Sequence, residues 1–120
     1  MPTLEIGQST VLSGVVFGPG EIVLSDSAKL AVDETVAFLN ENPSMVIELV
    51  GYTDISGMEE KNILLSNQRA QAVYEYMLLS GISEDRISYS GCGPINPIAP
   101  NAYRWGRDKN RRIEILIINK

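Results

Sequence analysis

The chain has 120 residues, 44% of them apolar, with 10 basic and 15 acidic side chains and a net charge of −5. That size and balance fit one globular domain with a real core, and exclude a disordered tail and nonspecific nucleic-acid binding by the chain as a whole. No histidine and a single cysteine, Cys92, remove Ser-His and Cys-His nucleophile pairs, the commonest transition-metal ligand and any internal disulfide.

At the N-terminus, Met1-Pro2-Thr3-Leu4-Glu5 has no basic start and no apolar block, so no signal peptide is visible. No run of about 18 apolar residues marks a transmembrane helix. The expectation is either a cytoplasmic protein or a domain excised from a longer, exported one.

Thr10 to Phe17 reads as a first strand, ended by the tight loop Gly18-Pro19-Gly20. Ser25 or Asp26 then caps a helix to about Asn40, with Ala28, Val32, Val36 and Leu39 at helical spacing, and Pro43 stops it. Met45 to Tyr52 reads as a second strand with Met45, Ile47 and Leu49 on one face and Val46, Glu48 and Val50 on the other. A long helix spans about Met58 to Ser80, with Leu65, Ala72, Val73, Tyr76 and Leu79 at helical intervals and Gly81 as its C-terminal cap. Arg86 to Cys92 is a short third strand. A loop rich in breakers follows (Gly91, Gly93, Pro94, Pro97, Pro100), and Arg112 to Ile118 alternates as a last strand. Crossover helices of this length join parallel strands, and right-handed crossovers place both helices on one face. The order is therefore strand, helix, strand, helix, strand, loop, strand, in a two-layer α+β sandwich with a mixed sheet covered on one face.

The chemistry concentrates in Gly51-Tyr52-Thr53-Asp54-Ile55-Ser56-Gly57 and the helix after it. Residues seven apart on a helix share a face, roughly 10 Å along the axis, so Asn62 and Arg69 point the same way with Ser66 between them. With Asp54 closing the strand end beside that face, an acid and a base stand close together, a receptor for a ligand carrying both an amine and a carboxylate. Taken singly, an Asp in such a turn commonly does no more than bond its own backbone, and a helical Arg is usually a solvated surface residue.

A second constellation is 104–112, which holds five of the ten basic residues together with Trp105. One reading is a phosphate-binding patch for single-stranded RNA, though no aromatic pair stands at strand-centre positions to stack bases. The other is that one arginine turns into a ligand site while the rest pair with surface acids. Arg112 faces opposite Ile113, whereas Arg111 shares the side of Ile113 and can reach under a loop. Gly91-Cys92-Gly93-Pro94 begins like a dinucleotide loop but lacks the third glycine and the following helix, so it reads as a turn. Cys92, with no histidine to activate it, reads as a small packing residue.

Taken together, these residues resemble the OmpA-like C-terminal domain, a family that binds peptidoglycan. The likeness runs over about residues 10 to 118 of a single domain, 1–120. It is carried by Gly51-x-Thr53-Asp54-x-x-Gly57 and Asn62-x-x-Leu65-Ser66-x-x-Arg69-Ala70-x-x-Val73, then by Gly81-Ile82, Arg86, Gly91-x-Gly93-x-x-x-Pro97, Asn101, Gly106-Arg107 and Asn110-Arg111-Arg112-Ile113-Glu114. The resemblance implies a β-α-β-α-β-β chain with a mixed four-stranded sheet of order 1-4-2-3. It implies noncovalent binding of the diaminopimelate residue of the wall's stem peptide, with no enzyme activity, cofactor or metal. Asp54 would accept the ammonium and Arg69 would grip a carboxylate. Asn62 and Arg111 would flank the ligand, with Ser56 and the backbone near Gly18 completing the wall. The chain departs from the family at three places: Tyr52 stands where His is frequent, Cys92 where an aromatic is, and Gly18 where Asp is. The parent implied is an outer-membrane barrel, a lipoprotein or a flagellar-motor stator protein, with the domain in the periplasm and membrane contact only through other parts. The alternative is a small RNA-binding α/β module using 104–112. The sequence leaves homodimer formation open.

Overall fold

The computed structural model describes residues 5–120; the expectations that rest on Met1 to Leu4 lie outside them. Strand β1 is Ser9–Val11, helix α1 Asp26–Glu41, strand β2 Val46–Tyr52 and helix α2 Glu59–Leu79. A single 3-10 turn at Glu84–Arg86 leads into β3, Ile87–Gly93. Helix α3, Arg104–Asn110, precedes β4, Ile113–Asn119. The sheet order is β1-β4-β2-β3, with β2 and β3 parallel and β4 antiparallel to both of its neighbours. The fold is the α+β sandwich that the resemblance implied, in that strand order.

The boundaries of α1 follow from local chemistry. The Ser25 hydroxyl accepts the Ala28 N–H at 3.1 Å, and Ala28, Val32, Val36 and Leu39 are all buried. The last turn of α1 carries no basic side chain of its own. Arg86 supplies one from across the chain, donating to the carbonyls of Leu39 in that turn, of the cap residue Asn42 and of Met45 beyond it, and so ties the helix C-terminus to the turn before β3. Helix α2 ends in a Schellman cap: Gly81 has φ +97°, its N–H donates to Leu78 O and that of Ile82 to Met77 O.

The core lies between the helices and one face of the sheet. Ile47 and Leu49 of β2 and Ile113, Ile115 and Ile117 of β4 meet the α1 apolar stripe and Ala70, Val73 and Met77 of α2. Leu49 is paired on both sides, with Tyr89 of β3 and Ile115 of β4.

Four features differ from the sequence reading. β1 is only three residues long; Gly14 at φ +87° turns the chain out of strand geometry, while Leu12, Val15 and Phe17 still bury their side chains from irregular backbone. β1 and β2 run parallel but are not neighbours, because β4 lies between them. The inward face of α2 is Asn62, Ser66, Arg69, Ala70, Val73 and Met77; of the apolar set read from spacing only Val73 is fully buried, and Leu79 is 88% exposed. Finally, part of the breaker-rich connection is helical, as α3.

Two glycines seat α2 on the sheet. A Cβ on Gly51 would stand 2.2 Å from Ser66 O, and one on Gly91 2.2 Å from Asn67 N. The helix therefore approaches β2 and β3 more closely than any other residue would allow. This contact brings the polar face of α2 up against the end of β2.

Candidate functional site

At that end the chain leaves β2 through Thr53 and Asp54. The Asp54 side chain is buried. Its Oδ1 accepts the Ser56 N–H at 2.7 Å, an Asx turn, and its Oδ2 pairs with Arg111 Nη1 at 2.6 Å. Burial alone would raise its pKa, but the Ser56 hydrogen bonds and the Arg111 guanidinium together outweigh it and hold the carboxyl below its ordinary range. Asn62, on the first turns of α2, donates to Ser56 O at 2.7 Å and fixes the loop. The Ser66 hydroxyl accepts the Gly93 N–H at 2.9 Å, tying α2 to the end of β3.

Arg69 is 1% exposed. Nε donates to Glu21 O at 2.8 Å, Nη2 donates to Gly18 O at 2.9 Å, and the guanidinium lies 5.2 Å from the centre of the Phe17 ring. Nη1 is buried without a hydrogen-bond partner. Desolvation, with Arg111 nearby, lowers its pKa to about 10, so it stays charged at neutral pH.

Arg111 gathers the other side. It donates from Nε to Phe17 O at 3.1 Å, reaches Asp54 through Nη1 and pairs through Nη2 with Asp108, three residues earlier. Arg104, Arg107, Asp108 and Arg111 fall at helical i, i+3, i+4, i+7 spacing, so α3 turns one stripe toward Asp54 and Arg69. Between them lies an open pocket of about 350 Å³, lined by these residues with Thr53, Ser56, Asn62, Leu65, Pro19 and Gly20. Four arginines against two aspartates leave it with two positive charges in excess, inside a chain of net charge −5.

Of the residues singled out in the sequence, Asp54, Asn62, Arg69, Arg111 and Ser56 line this one pocket. Gly18 stands behind it, its carbonyl holding Arg69. The pairing differs from the sequence reading: Asp54 has its ion pair with Arg111, and among the described residues Arg69 makes none. Thr53, Leu65, Arg104, Arg107 and Asp108 join the site. In the sequence Arg104 belongs only to a basic run, and Arg107 to that run and to the Gly106-Arg107 motif; neither shows the helical stripe of α3 that aims them. Two of the three departures from the family lie elsewhere. Tyr52 and Cys92 point to the sheet face away from the helices, where the Arg112 guanidinium sits 3.9 Å from the centre of the Tyr52 ring. The basic run is also divided: Arg111 is paired with Asp54 and Asp108, Arg112 pairs with Glu114, and Arg107 bonds Asn101 O. Of this run Arg104, Arg107 and Lys109 have no ion-pair partner among the described residues, and Arg107 is held by the Asn101 carbonyl, which leaves few cations for the multiple phosphate contacts that nucleic acid requires.

A family model described as the OmpA family matches residues 16–111. The chain is 33% identical over 105 residues to Probable lipoprotein YiaD of Escherichia coli, covering 88% of this chain and 48% of that protein. It is 47% identical over 75 residues to the peptidoglycan-binding protein ArfA of Mycobacterium tuberculosis, covering 62% of this chain and 23% of that one. The chain thus spans less than half the length of either relative. Among solved structures, the peptidoglycan-associated lipoprotein of Burkholderia pseudomallei superposes with a TM-score of 0.81 at 24% identity, over 86% of this chain and 87% of that one, a likeness of fold.

Proposed function

Because the chain belongs to the OmpA family, we propose that it binds peptidoglycan without covalent attachment, gripping the diaminopimelate residue of the stem peptide, and so holds a longer envelope protein to the cell wall from the periplasmic side. The observation that carries this reading is the buried, unpartnered Nη1 of Arg69 in a pocket that also holds the charged Asp54. An unsatisfied guanidinium N–H is costly unless a ligand oxygen completes it. Diaminopimelate offers at its distal centre one carboxylate for Arg69 and one ammonium for Asp54. In binding, the ammonium shares the Asp54 carboxylate with Arg111, which keeps Asp108 as its second partner. The positive excess of the pocket favours a ligand with more carboxylates than amines, as a stem peptide has. Peptidoglycan binding by ArfA, a relative through much of this segment, supports the same reading. No catalytic step is part of it: the chain has no histidine to act as a general base or to activate a nucleophile.

Calorimetric titration with a diaminopimelate stem peptide and its lysine counterpart tests the assignment. The lysine peptide lacks the distal carboxylate, and a charge-assisted hydrogen bond contributes about 1.5–3 kcal/mol, so it should bind on the order of 10- to 100-fold more weakly. Asp54→Asn and Arg69→Met should each abolish saturable binding while remaining folded. Equal affinity for the two peptides would refute the diaminopimelate assignment.

A further inference from the structure

We propose that Tyr103 and Trp105 form a stacking platform for the sugar rings of the glycan strand, placed at the mouth of the pocket that takes the peptide. The inference rests on the peptidoglycan reading above and names a second part of the same polymer. Both side chains are large and aromatic, yet 59% and 55% exposed. Their rings lie nearly parallel, 10° apart in plane with centres 6.0 Å apart. They flank Arg104, which lines the pocket, so the platform begins one residue from the peptide site. On α3 the pocket-facing stripe runs through Arg104, Arg107, Asp108 and Arg111, and Trp105 lies 100° around the helix from Arg104, on the adjoining face.

The platform is held in place before any ligand arrives. Gly106 is buried so tightly that a Cβ there would stand 1.7 Å from Pro100 O. The Asn110 side chain bonds the N–H groups of Ile98 and Ala99, the Ala99 carbonyl and the side chain of Asn101. Trp105 therefore stands on a helix anchored at its middle and its C-terminal end, with Tyr103 at the residue before it, and little ordering is needed on binding.

A pyranose ring carries axial C–H groups that make one of its faces apolar, while its hydroxyls remain wet. Exposed aromatic rings with a polar edge match that surface. The stem peptide is bonded to the muramic acid of the glycan, so a peptide seated in the pocket brings sugar to its rim. Single-stranded RNA also stacks on aromatics, but here Arg111 and Arg112 are held in ion pairs, Arg107 bonds the Asn101 carbonyl and the Lys109 ammonium lies 6.0 Å from the centre of the Trp105 ring, which leaves few cations to meet phosphates.

Trp105 is the only tryptophan in the chain, so its fluorescence reports on the platform directly. The test titrates the protein with a disaccharide-linked stem peptide, with the same peptide freed of sugar, and with the peptide-free disaccharide. The wild type should bind the sugar-linked peptide about tenfold more tightly than the free one. The Trp105 emission should shift with the first and not with the second. Trp105→Ala should erase the tenfold gain and leave the free-peptide affinity unchanged, and Trp105→Phe should restore part of the gain. Equal binding of both peptides by the wild type overturns the platform and leaves the diaminopimelate reading standing. Failure of the free peptide to bind, with a Trp105 shift on the disaccharide, does the reverse. Salt-steep binding of polyuridylate, or a dimer lost in Trp105→Ala, would also overturn the proposal in favour of another occupant.

Discussion

A guanidinium shut away from water costs the fold free energy, and Arg69 recovers only part of it from two carbonyls and a ring face. Its lowered pKa, about 10, records the deficit. A buried arginine with an idle N–H makes sense in a protein whose ligand supplies the missing acceptor. Asp54 is the opposite case. Its folded pKa lies below the unfolded value of about 3.9, so its contribution to stability is present in full above that value and is lost as pH falls through the lower folded pKa. The stability of the wild type measured by urea melts should therefore hold from pH 7 to about 5 and fall below about 4. Asp54→Asn should flatten part of that fall. An unchanged acid slope in the variant would show that the Asp54–Arg111 pair does not form in solution.

At the scale of elements, the site depends on how α2 is seated. Gly91 and Gly51 admit the backbone of α2 at Ser66 and Asn67, between the site residues Asn62 and Arg69. Gly91→Ala should push the helix outward, at a cost of about 1–3 kcal/mol as for other overpacked contacts, and weaken ligand binding together with stability. Gly81 provides the contrast. It sits at the far end of α2 with φ +97° and nothing near its missing Cβ, so Gly81→Ala should cost about 1–2 kcal/mol through backbone strain alone. Urea melts and calorimetry on both variants separate the two effects. Full affinity in Gly91→Ala would mean that Arg69 is positioned by the Gly18 and Glu21 carbonyls and not by its helix.

At the scale of the whole molecule, the sheet closes only when the last strand, β4, inserts between β1 and β2. The site has the same long reach: Arg111 meets Asp54, 57 residues away, and Phe17 O, 94 residues away. Helix α3 is tied to this assembly through Asn110 and Arg111, so we expect the chain to unfold as one unit. Trp105 fluorescence follows α3 and far-ultraviolet circular dichroism follows α1 and α2; their urea midpoints should coincide. An earlier fluorescence transition would make α3 a separately melting segment.

The sequence alone determined whatever local periodicity and punctuation encode. The α1 stripe with its Ser25 cap, the Gly81 stop and the alternating isoleucines of β4 all stand where spacing put them. Three residues that line the pocket were legible together, because Asn62 and Arg69 share a helical face and Asp54 closes the neighbouring strand. The strand order followed from family resemblance, since no spacing in the chain shows β4 entering between β1 and β2. Helix α3 carries no periodic signal, because Arg104 to Asn110 has one large apolar residue and a glycine, no apolar stripe, and no side-chain cap. The buried face of α2 departs from its apolar periodicity for a related reason: it begins with Asn62, Ser66 and Arg69, which carry no apolar signal. The pairing of Asp54 with Arg111 lies beyond any spacing argument. Local preferences act over a few residues, whereas burial and charge pairing act between whichever groups the folded chain brings together.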